Sequence, residues 1–203
     1  MRDWRLYLEG FAWTLLIASG VTIALAIIGS VFPPLFNRSD TLAIIGIVLS
    51  KIIAVSIEDG LRYLGISRMR QRHNLLASAF VLALFIAMVE NFQQFGRVSS
   101  GLAEAGEMVE PGLFLVALFV IGASRVLWHF TLCRFYVVFA DHRAWTGVIF
   151  LFTFHVVTNS ILAVLPFLAP TVVGALYWAC ALFLLAAGSV YGVCRNWPGL
   201  SRD

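Results

Sequence analysis

Six separate runs of this chain are each long and apolar enough to cross a lipid bilayer, and this pattern constrains the fold more than any other feature. They cover residues 11–32, 41–66, 75–95, 111–140, 145–168 and 171–194. Crossing the hydrocarbon takes about 20 helical residues. Lipid offers no partner to backbone N–H and C=O groups, so a spanning segment must satisfy them itself, as a helix does. The expectation is an all-α fold: a polytopic membrane bundle of about six transmembrane helices, forming a single integral membrane domain over residues 1–203. Composition agrees, with 61% hydrophobic and 12% charged residues. A soluble domain carries roughly a quarter charged residues.

The charged residues set the topology. Arg68, Arg70 and Arg72 crowd the connection after the second run, whereas Glu104, Glu107 and Glu110 face one Arg, Arg97, in the connection after the third. Positive charge stays on the cytoplasmic side. Alternation then places both termini and Arg143 there, with eight Arg inside and only Arg38 and Arg97 outside. The first run exceeds the ~7–15 residues of a signal-peptide core, so it is expected to be retained. It ends at Pro33-Pro34, and the fourth run is long enough to tilt or to break at Gly122. The small size and lack of a transit signal lead us to expect a bacterial inner membrane. The net charge of +3 is spent on orientation, so no nucleic-acid partner is expected. Cys133, Cys180 and Cys194 lack a disulfide or metal-finger spacing and read as small apolar residues. Trp4, Trp145 and Trp197 suit interfacial anchors. His73 and His142 fall in connections and are expected to be solvated.

Charge inside a membrane is costly, about 2.5–3.5 kcal/mol per mid-bilayer Asp, Arg or Lys. The second run nevertheless carries Lys51, Glu58, Asp59 and Arg62; the third, Glu90 and Asn91; the fourth, Arg125, His129 and Arg134; the fifth, His155 and Asn159. The first and sixth carry none at their centres and are expected only to face lipid or pack. Glu58 and Arg62 are four residues apart, as are Arg125 and His129, and His155 and Asn159, so each pair shares a helix face. At 1.5 Å per residue, Glu58, Glu90, His129 and His155 lie roughly 12 to 23 Å from the inner boundary. Two carboxylates and two imidazoles from four helices can thus meet at one level. Arg134, near that boundary, is expected to snorkel, and Lys51 reads as a counter-ion.

Such a group can do several things. A carboxylate beside an imidazole can activate water, and an imidazole or an Asn amide can stabilise an oxyanion. A neighbouring Arg favours the charged form of a carboxylate, and Arg62 lies one turn from Glu58. The same carboxylates and imidazoles can hold Zn²⁺, although no His-Glu-x-x-His run is present. Intramembrane ion pairs also join helices without chemistry.

The order of these residues carries a resemblance. Glu58-Asp59-Gly60-Leu61-Arg62 resembles the first motif of PrsW-type intramembrane proteases, Glu-Glu-x-x-Lys/Arg. Phe85 to Asn91 is similar to their second, an apolar stretch ending in Glu-Asn. Arg125-Val126-Leu127-Trp128-His129 resembles the third, an Arg before a membrane His. His155-Val156-Val157-Thr158-Asn159 resembles the fourth, His-x-x-x-Asn/Asp. The motif-bearing core is about 41–168. The wider superfamily includes CAAX prenyl proteases, Abi proteins and the scaffold subunit of gamma-secretase, and CAAX-type members have His where this chain has Glu90. The resemblance implies an intramembrane endopeptidase that cleaves a membrane-tethered polypeptide, with Glu58, Glu90, His129 and His155 catalytic. Asp59, Arg62, Asn91, Arg125 and Asn159 would support them. Relatives are described both as metalloproteases and as metal-free glutamate enzymes; a metal, if present, would sit among Glu58, Glu90, His129 and His155. The implied partners are a membrane-protein substrate and the bilayer, with no signal of oligomeric state. Asp59 replaces the family's second Glu and shortens its reach by one methylene. That departure keeps a second expectation in view, a silent scaffold that binds transmembrane helices. A third is a small proton-coupled transporter, since buried Glu and His can relay protons.

Overall fold

The computed structural model describes residues 4–31, 41–104, 111–168 and 172–198. Every expected run is a helix: α1 Trp4–Val31, α2 Thr41–Met69, α3 Leu75–Glu104, α4 Pro111–Asp141, α5 Trp145–Leu168 and α6 Val172–Arg195. Among the described residues no strand occurs. Helices α1, α3, α5 and α6 contain stretches long and apolar enough to cross a membrane. Helices α2 and α4, of 29 and 31 residues, have the length. They also carry the buried ionisable residues Glu58, Asp59, Arg62, Arg125 and His129, all turned into the bundle.

Helix ends depart from the apolar limits where polar residues continue the helix. α1 begins at Trp4 and takes in Arg5 and Glu9, and α3 runs on to Glu104 through part of the expected connection. Hydropathy marks where side chains stop facing lipid, not where the backbone stops hydrogen bonding. Pro33, Pro34, Arg38, Glu107, Glu110 and Thr171 lie outside the described residues. α4 passes unbroken through Gly122. The missing side chain serves packing instead: a Cβ there would lie 2.7 Å from Asn91 Nδ2.

α4 is the central helix, packed on α2, α3, α5 and α6. One of its sides builds a core with α5 and α6, in which Trp128, Leu132, Phe135 and Phe139 meet Leu151, Phe183 and Val190. Another side, with Cys133 and Val137, joins a second core made of Ile17, Ile66, Leu82 and Ile86 from α1, α2 and α3. A helix buried on most sides cannot display one polar face, and α4 accordingly puts its polar residues between the two cores.

One end of the bundle is tied by charge. Arg70, in the α2–α3 turn, forms a two-pronged ion pair with Asp141 at the end of α4. That hydrogen bond holds the Asp141 carboxyl below its ordinary value. Arg72 donates to Glu9 of α1 at 2.7 Å. The start of α1 and the α2–α3 and α4–α5 turns therefore lie together, as alternating topology requires. Asn74 caps α3 by accepting the Ala77 N–H. Arg143 ends α4 in the left-handed region, φ 53°, and Ala144 N–H closes the helix on the Phe139 carbonyl.

Three expectations change here. The His73 side chain is only 8% exposed, with Nε2 3.8 Å from Glu9 Oε2, because α1 extends beside the turn. Trp197 packs on Phe139 and Phe150, whereas Trp4 and Trp145 are exposed as anchors would be. The Arg134 guanidinium lies over the Phe135 and Tyr191 rings, a packed position rather than a free reach to the interface.

Candidate functional site

Helix α2 supplies the hub. Arg62 is fully buried. Its guanidinium donates to Glu58 one turn back, to Asp59 three residues back, and across the bundle to His129 Nδ1 at 3.0 Å. A guanidinium has donors only, so His129 Nδ1 accepts and its Nε2–H faces Glu90 Oε2 of α3, 3.0 Å away. Asp59 also accepts from the Tyr136 hydroxyl of α4. Its two oxygens lie 2.9 and 3.1 Å from His155 Nδ1. His155 Nδ1–H thus points at a carboxylate, and Nε2 receives Asn159 Nδ2–H at 3.2 Å. Glu58 sits between the imidazoles, 3.9 Å from His129 Nδ1 and 3.9 Å from His155 Nε2.

A second layer steadies Glu90. Arg125 Nε lies 3.8 Å from its carboxylate. The same guanidinium donates to Asn91 at 2.7 Å and to Gln94, and stacks 5.2 Å over the Phe183 ring of α6. The nine residues singled out in sequence therefore converge. Their i, i+4 relations held: Glu58 pairs with Arg62, His155 with Asn159, and Arg125 and His129 share Glu90. Tyr136 and Gln94 were not singled out. Both stood in register, Tyr136 two turns after His129 and Gln94 one turn after Glu90, but neutral polar residues near an interface raise no alarm.

The group borders a cavity of about 790 Å³. Glu58, Glu90, Arg125 and Asn159 reach its wall, along with Lys51, Gln93 and Gln94, while His129 and His155 stand behind it. The wall opposite comes from α1 (Thr14, Ile17, Ala18, Val21) and from α6 (Ala179, Phe183). The two helices expected only to pack or face lipid thus complete the chamber.

Glu58, Glu90 and His129 each offer a ligand atom within 4.8 Å of the others. In donor type and spacing this trio suits a divalent metal. In hydrogen bonding and charge it does not. Both His129 nitrogens are engaged, by Arg62 and by Glu90. The carboxylates already face the fixed positive charges of Arg62 and Arg125, and a metal at the trio would sit against the Arg62 guanidinium.

The described residues thus define a helical membrane bundle with a buried carboxylate–imidazole–guanidinium network on the wall of a partly open cavity. Comparison with family models, with curated proteins and with solved structures finds no match to any of them.

Proposed function

We propose that this protein is an intramembrane endopeptidase of the PrsW-like type, which cleaves a membrane-tethered polypeptide with a water activated by Glu58. The observation that carries the reading is the place of Glu58: on the cavity wall, between two imidazoles, and held by a fully buried Arg62. Glu58 takes the proton from a water attacking the scissile carbonyl and returns it to the amide nitrogen as the C–N bond breaks, so that the amine leaves neutral. Asn159, on the same wall, offers its amide to the developing oxyanion. Asp59, itself held by the Tyr136 hydroxyl, fixes the His155 ring so that Nε2 faces Glu58, and Glu90 holds His129 Nε2–H so that Nδ1 faces Glu58. The orientation that suits this reading has both termini cytoplasmic in a bacterial inner membrane.

The test is co-expression of wild type and Glu58→Gln with tagged single-span membrane proteins, read by blot for a shortened product. The expected result is a product with wild type and none with Glu58→Gln at equal expression. Normal cleavage by Glu58→Gln would remove Glu58 from its role. A second reading draws on the saturation of Arg62, which binds both α2 carboxylates as a static helix tie would. In that reading the chain is a scaffold, and a candidate co-purifies with both forms uncut.

A further inference from the structure

Arg134 of α4 differs from the arginines that tie the bundle. Arg62, Arg70, Arg72 and Arg125 each pair with a carboxylate. Arg134 is half-buried, and its partners among the described residues are rings: its guanidinium lies 5.4 Å from the centre of Phe135 and 5.9 Å from that of Tyr191 of α6. A ring face attracts a cation but does not neutralise it. Seven residues before Asp141, Arg134 stands about 10 Å below the ion-paired end of the bundle, under a headgroup layer about 5–8 Å deep. A charge at that depth without a carboxylate calls for an anion from outside the chain.

The surroundings say which anion. Arg195, exposed in the last turn of α6, follows Tyr191 by four residues and shares its face. Tyr191 is 39% exposed, and its hydroxyl has no hydrogen-bond partner among the described residues. Two guanidiniums thus flank one unengaged hydroxyl, a donor set that suits a phosphate. Below them the surface is apolar. Val120 and Leu127 precede Arg134 at seven-residue intervals on the outer face of α4, both close to half exposed. The Val120 carbonyl meets Cys180 Sγ of α6 at 4.0 Å, and Cys180, Leu184 and Tyr191 follow one flank of α6. The two stripes therefore border one groove, which runs from the cations toward the middle of the bilayer. A charged head above an apolar groove has the layout of a glycerophospholipid. A second copy of this chain has no acid to offer, because Glu9 and Asp141, the carboxylates described at that end, are held by Arg72 and Arg70.

We propose that the groove between α4 and α6 is a binding site for an anionic glycerophospholipid, its phosphate held by Arg134, Arg195 and the Tyr191 hydroxyl and an acyl chain laid along Leu127 and Leu184. None of these residues lines the cavity beside Glu58, so the site stands whether or not the protein cleaves a polypeptide. The test titrates delipidated full-length protein in neutral detergent with phosphatidylglycerol or phosphatidylcholine and counts retained lipid by native mass spectrometry. The first phosphatidylglycerol should bind about 5- to 25-fold tighter than phosphatidylcholine, each Arg near the headgroups being worth about fivefold. Arg134→Gln and Arg195→Gln should each remove about fivefold of that affinity, and Tyr191→Phe about 2- to 10-fold, the worth of one hydrogen bond. A control pair, Arg5→Gln with Arg68→Gln, removes two exposed cations that lie outside the groove and should leave the first phosphatidylglycerol in place. Equal binding of the two lipids overturns the proposal. So does a loss in the control pair as large as in Arg195→Gln, which reduces the effect to diffuse charge. Displacement of the lipid by millimolar inorganic phosphate makes this a free-anion site and overturns it as well, as does a two-chain mass that dissociates on Arg134→Gln. If Arg134→Gln fails to fold, Arg195→Gln at the exposed helix end carries the test.

Discussion

Removing Arg62 should destabilise the bundle more than removing the charges it holds. Arg62→Met keeps the length and apolar stem of the side chain but strips three hydrogen bonds. It leaves Glu58 and Asp59, 7% and 5% exposed, buried without their shared cation. Breaking a buried ion network from one side costs about 3–5 kcal/mol. For a chain of this size, 1 kcal/mol moves the midpoint by about 2–4 °C, so a fall of about 6–20 °C follows. The assay is thermal unfolding of purified protein in detergent micelles, followed by tryptophan fluorescence. The cause is isolated by a triple variant, Arg62→Met with Glu58→Gln and Asp59→Asn, which removes the stranded charges and should regain more than half of the loss. A single variant melting within about 3 °C of wild type, or a triple variant no more stable than the single one, would refute the view that Arg62 serves as the counter-charge of the network.

Three further outcomes follow from other parts of the structure. Gly122→Ala places a Cβ 2.7 Å from Asn91 Nδ2, so it should displace Asn91 from Arg125 and, under the proposed function, cut cleavage at least as far as Asn91→Ala does; activity equal to wild type counts against the Asn91–Arg125 link. The Asp141 carboxyl is held below its ordinary 3.8 by Arg70. Its contribution is therefore complete above that value and lost as pH falls below it, so the melting difference between wild type and Asp141→Asn should be constant above about pH 5 and shrink below 3.8. Under the proposed function, cleavage should survive metal removal: dialysis against a chelator, with metal content read by mass spectrometry, should leave the rate within about twofold, and restoration by added Zn²⁺ after a full loss would reverse the reading of His129 as engaged on both nitrogens.

The fold was legible because hydropathy and topology are set by the same physics that holds the bundle. Six runs became six helices, and the Arg-rich turn fell beside the start of α1 and the end of α4, where Arg70, Arg72, Glu9 and Asp141 meet. What hydropathy does not see is a helix that continues after its side chains turn polar. That is why α1 starts at Trp4 and α3 reaches Glu104, and why His73 is covered when its place in a turn suggested water.

Charged site residues were legible for an energetic reason: a mid-bilayer charge needs a partner, and i, i+4 spacing limits where that partner can be. Which groups each carboxylate would meet was not. Glu58 was expected to lead and Asp59 to assist. In the structure Asp59 joins Arg62, Tyr136 and His155, while Glu58 reaches the cavity. The helix that carries them turns 100° per residue, so neighbours on either side of one peptide bond face different surroundings. Asp59 points toward α4 and α5, where a side chain one methylene shorter than the Glu of the motif it resembles meets both Tyr136 and His155. The substitution that first argued for a silent scaffold is thus accommodated by a tyrosine two turns along α4 from His129. The endopeptidase and scaffold readings consequently part at Glu58, the carboxylate on the cavity wall, and not at Asp59.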